Sequence, residues 1–184
     1  MNIPNILTLA RIAFIPLLVV LFYLPFSWSM PVAAGLFALA SVTDWLDGYL
    51  ARRWNQSTPF GAFLDPVADK LMVVVALALL IERYETLVLT LPALVIIGRE
   101  IVISALREWM AELGQRNAVK VSQMGKWKTT FQMLAIACLI YYKPLFGLPV
   151  FEIGVALLYA AAWLTIQSMY YYLLAAWPMM RNKG

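Results

Sequence analysis

The sequence predicts an all-α integral membrane bundle of six transmembrane helices, formed by a single domain that covers residues 1–184. Of the 184 residues, 63% are hydrophobic and 13% are charged, and the mean hydropathy is +0.78. Soluble domains carry about 25% charged residues. Apolar stretches long enough to cross a bilayer, roughly 20 residues each, recur along the chain. These stretches are continuous rather than alternating, which argues against a β-barrel.

Six apolar stretches supply the predicted spans, in chain order 6–24, 31–52, 61–81, 86–107, 125–142 and 150–177. Turn-forming residues separate them in the segments LPFSWSMP, NQSTP, ERYET and YKPLFGLP.

Charge predicts the orientation of these spans. Cytoplasmic loops of membrane proteins are enriched in lysine and arginine. One side of the predicted bundle carries most of these residues, namely Arg52, Arg53, Arg116, Lys120, Lys126, Lys128, Arg181 and Lys183. The other side has only Arg83, flanked by two glutamates, and Lys143. The basic side is therefore predicted to be cytoplasmic, and an even number of spans then places both termini there.

The absence of histidine restricts the chemistry that the chain can perform. Histidine is the commonest general base and the commonest transition-metal ligand. The only cysteine, Cys138, lies in an apolar run, which is typical of a buried residue without a special role. Any catalysis must therefore use carboxylates, lysine, arginine and hard cations.

Four aspartates interrupt the apolar sequence between the second and third spans. Asp44 and Asp47 are three residues apart, Asp65 and Asp69 are four apart, and each pair therefore shares one helical face. The short connection RWNQSTP makes these helices antiparallel neighbours, so the two faces can converge. Four carboxylates brought together repel one another unless some are protonated or cations lie between them. Oxygen ligands without histidine or cysteine suit Mg²⁺ or Mn²⁺, and two such ions with room for a phosphate form a phosphoryl-transfer site.

Simpler interpretations exist for the individual residues of this segment. A single aspartate near a helix end can be an ordinary interfacial charge, and the small residues Gly48, Ala51 and Gly61 can serve close helix packing or leave room for a ligand. Arg52 can bind a phosphate or extend to the interface. Four acids on two facing stripes favour a functional site, because acids inside membrane spans are usually functional.

The same segment resembles a known family. It fits the pattern D-x2-D-G-x2-A-R-x8-G-x3-D-x3-D without departure at Asp44, Asp47, Gly48, Ala51, Arg52, Gly61, Asp65 and Asp69. This pattern is the signature of the CDP-alcohol phosphotransferases, and the resemblance covers essentially the whole chain. It implies two divalent cations, Mg²⁺ or Mn²⁺, with ligands Asp44, Asp47, Asp65 and Asp69. It also implies that Asp69 is the general base, and that the CDP-linked donor is bound by Thr8, Asp44, Gly48, Ala51, Arg52 and Gly61.

Basic residues inside other spans point to an anionic ligand. A charge at the position of Arg11 is expensive unless it is paired, and its predicted partners are the aspartates or a bound phosphate. Arg99 and Arg107 are eight residues apart and lie close to one face of the fourth span. Glu100 is expected to point about 100° away from Arg99. Lys128, like Lys120, is interpreted as a loop charge that follows the positive-inside rule and contacts lipid headgroups.

The family resemblance implies that Arg99, Arg107 and Lys126 hold the phosphate of the second substrate. A neutral alcohol would not need buried arginines, so an anionic acceptor is expected. The resemblance favours transfer of the phosphatidyl group of CDP-diacylglycerol to sn-glycerol 3-phosphate, with release of CMP.

We expect the chain to lie in the bacterial cytoplasmic membrane. The chain would contact membrane lipids there, with the active site on the cytoplasmic side and no nucleic-acid partner, and the family resemblance suggests a homodimer. Two alternatives remain open. One is the same chemistry with inositol phosphate as acceptor, and the other is a divalent-cation transporter. All four acids lie at one end of their spans, which counts against an ion pathway through the membrane.

Overall fold

The structure is a computed structural model that describes the backbone of residues 3–54, 59–112 and 123–181. Within these ranges it describes the side chains of residues 6–43, 61, 64, 66–112, 127–174 and 177. The described backbone is almost entirely helical, which confirms the all-α prediction.

Six helices follow one another along the described chain, one for each predicted span. Their bounds are α1 Ile3–Tyr23, α2 Ser29–Trp54, α3 Pro59–Tyr84, α4 Leu87–Glu112, α5 Gln123–Tyr141 and α6 Val150–Arg181. Three helices contain a proline in their interior, namely Pro16 in α1, Pro66 in α3 and Pro92 in α4. Proline inside a helix is more frequent in transmembrane helices than in soluble ones.

Three of these helices are long and apolar enough to cross a membrane within the described residues. The segments are Ile6–Tyr23, Leu87–Glu112 and Val150–Leu174, and a shorter apolar segment covers Ser29–Thr43. The bundle is thus suited to a membrane, while the number of spans and the side on which the termini lie remain predictions.

The helices pack so that α5 lies against α6, α1 against α2 and α3, α4 against α6 and α3, and α2 against α5. Their interface is a core of leucine, alanine, isoleucine and phenylalanine side chains from the first five helices and the first half of α6. Many large apolar side chains face outward instead, among them Leu91, Ile101 and Trp163. Such outward-facing apolar residues suit a lipid environment, since soluble proteins rarely expose large apolar patches.

The connections α1–α2, α3–α4 and α5–α6 meet at one end of the bundle, which we call the loop end. The Tyr23 hydroxyl donates to Glu82 at 2.5 Å, and the Lys143 ammonium donates to the Ser27 carbonyl at 2.9 Å. The Arg83 guanidinium lies 5.4 Å from the centre of the Tyr142 ring. These contacts place the predicted breaks LPFSWSMP, ERYET and YKPLFGLP side by side.

The α5–α6 connection contains a tight turn between Leu145 and Leu148. The Leu148 amide donates to the Leu145 carbonyl at 2.9 Å, and the reverse bond is 3.2 Å long. Phe146 and Gly147 between them have φ values of +51° and +79°. Two successive residues with positive φ are typical of the type I′ turn, which favours glycine at its second central position.

Candidate active site

Arg11 and Asp69 form an ion pair between α1 and α3. An Arg11 side-chain nitrogen donates to an Asp69 carboxylate oxygen, and the arginine is 2% exposed whereas the aspartate is 36% exposed. Of the two partners expected for Arg11, an aspartate or a bound phosphate, the structure shows an aspartate, Asp69. Thr8, one turn before Arg11, is fully buried. The pair holds the Asp69 carboxylate at a fixed place while leaving part of it open to a ligand.

The Glu100 carboxylate forms ion pairs with two basic side chains. Its Oε1 atom accepts from Arg99 Nη1 at 3.1 Å and also from the Lys128 ammonium. The three side chains are mostly buried, with exposed fractions of 19% for Glu100, 8% for Arg99 and 3% for Lys128. A buried charge is tolerated when it is paired and hydrogen-bonded. This cluster therefore fixes two positive groups inside the bundle.

Two sequence interpretations are wrong in this cluster. Lys128 was expected to contact lipid headgroups, but α5 packs its side chain inward against Glu100 of α4. Glu100 was expected to point away from Arg99, but the two side chains are joined by a hydrogen bond. The 100° step between neighbours separates their Cα–Cβ directions only, and long flexible side chains can bend towards each other.

Tyr172 of α6 lies against both arginines of α4. Its hydroxyl accepts from Arg107 Nη2 at 3.2 Å. The guanidinium carbons of Arg99 and Arg107 lie 5.7 Å and 5.4 Å from the ring centre, within the range of cation–π contacts. Ser168, one turn earlier, accepts from Arg99 Nη2 at 3.0 Å. Helix α6 thus orients both arginines in one direction.

A cavity of about 290 Å³ opens between these side chains. Its walls are Pro66, Asp69, Lys70, Arg99, Glu100, Arg107, Lys128, Thr129 and Tyr172. Four of these residues are basic and two are acidic, so the walls carry an excess of two positive charges. The Nε atom of Arg99 is buried and has no hydrogen-bond partner among the described residues. The cavity therefore offers a positive surface to an anion.

The structure brings together Asp69, Arg99 and Arg107 from the sequence-predicted site. Gly61 is buried on α3, on the same face as Asp69 and two turns before it. The remaining predicted residues lie on described helix backbone, but their side chains lie outside the described residues. These are Asp44, Asp47, Gly48, Ala51 and Arg52 on α2, Asp65 on α3 and Lys126 on α5. Among the described residues, no three metal-ligating side chains gather.

Sequence reasoning missed Lys70, Glu100, Lys128 and Tyr172 as cavity residues. Lys70 donates to the Ser104 hydroxyl across the α3–α4 interface.

The sequence does contain one signal for the buried position of Lys128. Together with Gln132, Ala135 and Leu139 it follows the spacing i, i+4, i+7, i+11 that marks one face of a helix, and all four are buried. A lysine on an otherwise inward face indicates a buried partner.

Comparison with known proteins identifies the family of the chain. The sequence profile of the CDP-alcohol phosphatidyltransferase family matches residues 1–167. A protein of Pseudomonas fluorescens is 57% identical over 185 residues, which cover 100% of this chain and 94% of that protein. Proteins of Salmonella choleraesuis (strain SC-B67) and Shigella flexneri are each 57% identical over 175 residues, which cover 95% of this chain and 94% of theirs. All three are named CDP-diacylglycerol–glycerol-3-phosphate 3-phosphatidyltransferase. The chain itself belongs to the CDP-alcohol phosphatidyltransferase family.

Proposed function

We propose that the chain is a CDP-diacylglycerol–glycerol-3-phosphate 3-phosphatidyltransferase. It would transfer the phosphatidyl group of CDP-diacylglycerol to sn-glycerol 3-phosphate and release phosphatidylglycerophosphate and CMP. The observation that carries the proposal is the cavity in which Asp69 faces Arg99 and Arg107. A carboxylate and two arginines are what the reaction needs to take a proton from an acceptor and to hold its phosphate. The names of the relatives support glycerol 3-phosphate over inositol phosphate, and an enzyme over a cation transporter.

The acceptor phosphate is assigned to the positive wall of the cavity. A phosphate monoester carries about −1.5 to −2 charges at neutral pH, which matches the excess of two positive charges on the walls. Arg99 offers its Nε atom, and Tyr172 orients the guanidinium of Arg107. Guanidinium groups suit phosphate because their N–H bonds match its oxygens in pairs. Lys126 is proposed to add a third contact.

The reacting hydroxyl is assigned to Asp69. As the primary hydroxyl of the acceptor attacks the phosphorus bonded to diacylglycerol, its proton moves to a carboxylate oxygen of Asp69. A new phosphorus–oxygen bond forms, the bond between that phosphorus and the CMP oxygen breaks, and CMP leaves with the electron pair. Arg11 keeps Asp69 in place and supplies a positive charge beside it. No covalent enzyme intermediate is needed.

Two divalent cations, Mg²⁺ or Mn²⁺, are proposed as cofactors. Their ligands would be Asp44, Asp47, Asp65 and Asp69, an all-oxygen set of the kind that hard cations prefer. The partly open carboxylate of Asp69 fits such a role, since it can be reached from the cavity. When bound, the cations would neutralise the donor pyrophosphate and stabilise the leaving CMP. Thr8, Gly48, Ala51, Arg52 and Gly61 would surround the nucleotide.

The proposed setting is a bacterial cytoplasmic membrane crossed by all six helices. Both termini and the active site would face the cytoplasm, where glycerol 3-phosphate is dissolved. The two acyl chains of the donor would remain in the bilayer beside the outward-facing apolar side chains. A homodimer is the proposed assembly.

The experiment that tests this function measures CMP release by the purified protein in detergent with CDP-diacylglycerol and Mg²⁺. We expect release that depends on sn-glycerol 3-phosphate, stops when EDTA removes the metal, and returns with Mg²⁺ or Mn²⁺. Release with inositol phosphate alone would assign a different acceptor. Metal flux into liposomes without CMP release would indicate a transporter instead.

A further inference from the structure

A second, smaller cavity adjoins the first and has no role in the function proposed above. Its volume is about 90 Å³, and it shares four wall residues with the larger cavity, namely Asp69, Lys70, Glu100 and Thr129. Its remaining walls are Val73, Gln132 and Met133. A cavity needs about 10–15 Å³ to hold one water molecule. The smaller cavity can therefore hold a polar group of a ligand that enters from the larger one.

Gln132 is the polar residue that distinguishes this smaller cavity. Its side chain is 3% exposed, and its amide Oε1 atom is buried without a hydrogen-bond partner among the described residues. Its neighbours in the wall, Val73 and Met133, are apolar. A buried polar atom without a partner costs about 1–3 kcal/mol. Native structures rarely retain such an atom without a reason, and a ligand that binds there is one such reason.

We propose that the Gln132 amide binds a hydroxyl group of the acceptor that does not react. The inference rests on the proposed function, in which the acceptor phosphate lies against Arg99 and Arg107 and its reacting hydroxyl lies at Asp69. Glycerol 3-phosphate carries a second hydroxyl on the carbon next to the reacting one. Because Asp69 lines both cavities, this second hydroxyl enters the smaller cavity and donates to Gln132 Oε1.

The chemistry of the wall favours a neutral hydroxyl in this place. The Oε1 atom of Glu100 accepts from Arg99 and Lys128, and the Lys70 ammonium donates one of its N–H bonds to Ser104. The amide of Gln132 carries no charge, so it adds no attraction for the phosphate and does not compete with the arginines. A site that hydrogen-bonds a substrate hydroxyl discriminates strongly against an analogue that lacks it. Gln132 would thus select a polyol phosphate over a simple alcohol phosphate.

The test compares two acceptors, sn-glycerol 3-phosphate and 3-hydroxypropyl phosphate, which lacks only the second hydroxyl. The native chain is expected to prefer glycerol 3-phosphate by about 10- to 100-fold in kcat/KM. Gln132→Met, which keeps the size but removes the amide, should lower kcat/KM for glycerol 3-phosphate by a similar factor. It should change the value for 3-hydroxypropyl phosphate by less than about threefold, and leave the KM for CDP-diacylglycerol unchanged.

Thr165→Val is the matched control. Thr165 also has a buried side-chain oxygen without a partner among the described residues, but it lies on α6 and lines neither cavity. Removal of the Thr165 hydroxyl should leave kcat/KM unchanged for both acceptors.

The outcomes separate the inference from the function on which it rests. Equal losses with both acceptors in Gln132→Met, or no loss with either, would overturn the role of Gln132 alone. A native chain that uses both acceptors equally would overturn it without any variant, so the test survives a variant that fails to fold. A native chain that releases no CMP with glycerol 3-phosphate would overturn the proposed function, and this inference with it.

Discussion

The two ends of the bundle treat charge in opposite ways. At the loop end, Arg83 and Lys143 are solvent-accessible. Both lie near the Tyr142 ring, and Lys143 also donates to the Ser27 carbonyl. At the other end, Arg11, Arg99 and Lys128 are almost completely buried. Arg99 and Lys128 line the larger cavity. Surface pairs contribute about 0–1 kcal/mol to stability, whereas burying a charge is costly. The costly arrangement lines the cavity, which supports the proposal that it binds a ligand.

This comparison predicts that equivalent substitutions at the two ends have different consequences. Changes around the cavity should alter turnover or the affinity for one substrate, in some cases together with stability, whereas changes at the loop end should alter stability alone.

The largest effect is expected from the proposed metal ligands. Asp44→Asn, Asp47→Asn and Asp65→Asn should each abolish turnover at ordinary Mg²⁺ concentrations, because in a site without histidine each carboxylate contributes to metal binding. Turnover measured across a Mg²⁺ titration in detergent checks this prediction. Full activity of any one variant at ordinary Mg²⁺ would exclude that residue as a ligand.

Asp69→Asn should reduce kcat by about 10²–10⁴-fold, the usual range for loss of a general base. Asparagine keeps the size and can still contact Arg11, but it cannot accept the proton. Binding of CDP-diacylglycerol should persist, because Asp69 is proposed to act mainly on the acceptor hydroxyl while Asp44, Asp47 and Asp65 are the main proposed ligands of the cations. Loss of donor binding together with turnover would instead make Asp69 chiefly a metal ligand.

The Glu100 cluster should show an asymmetric loss of stability. Glu100→Gln leaves both Arg99 and Lys128 without a carboxylate, whereas Lys128→Met leaves Glu100 still paired with Arg99. Removing one partner of a buried pair costs about 3–5 kcal/mol. We expect Glu100→Gln to approach this range and Lys128→Met to stay clearly below it.

Chemical denaturation of both single variants and the double variant in detergent measures this asymmetry. The double variant should lose less than the sum of the two single losses, because the two side chains interact directly. Equal single losses that add in the double variant would contradict the role of Glu100 as a shared counterion.

The smallest effect is expected at the loop end. The Tyr84 hydroxyl donates to the Leu139 carbonyl at 2.9 Å, a bond between α3 and α5. Tyr84→Phe should lower the free energy of unfolding by about 1 kcal/mol, the net value of a typical hydrogen bond, and leave the KM for both substrates unchanged. A change in acceptor KM would show that the two ends are not independent.

Much of this arrangement could be predicted from the sequence because it depends on local patterns. Apolar runs and turn residues predicted all six helices, and the cost of an isolated charge predicted that Arg11 is paired, with an aspartate as one of two expected partners. The spacing of Arg99 and Arg107 predicted that they share a face, and both line one cavity.

The contacts made by α5 and α6 could not be predicted in the same way. Three consecutive tyrosines, 170–172, give no sign that only Tyr172 is buried, since this depends on how α6 rotates against α4. The inward direction of Lys128 and the second cavity at Gln132 depend on the packing of α5 against α3 and on the contact between Lys128 and Glu100 of α4. These contacts join residues far apart in the chain, and no single segment encodes them.

The most direct test of the account is the KM for glycerol 3-phosphate in two arginine variants, Arg99→Ala at the cavity and Arg83→Ala at the loop end. Each loses a guanidinium that lies against a tyrosine ring, so Arg83→Ala controls for the loss of that contact. A charge-assisted hydrogen bond is worth about 1.5–3 kcal/mol. Arg99→Ala should therefore raise the acceptor KM by about 10- to 150-fold while the KM for CDP-diacylglycerol changes by less than about twofold. Arg83→Ala should change neither value. A defect of Arg99→Ala confined to CDP-diacylglycerol, or equal defects in the two variants, would contradict the assignment of the cavity to the acceptor phosphate.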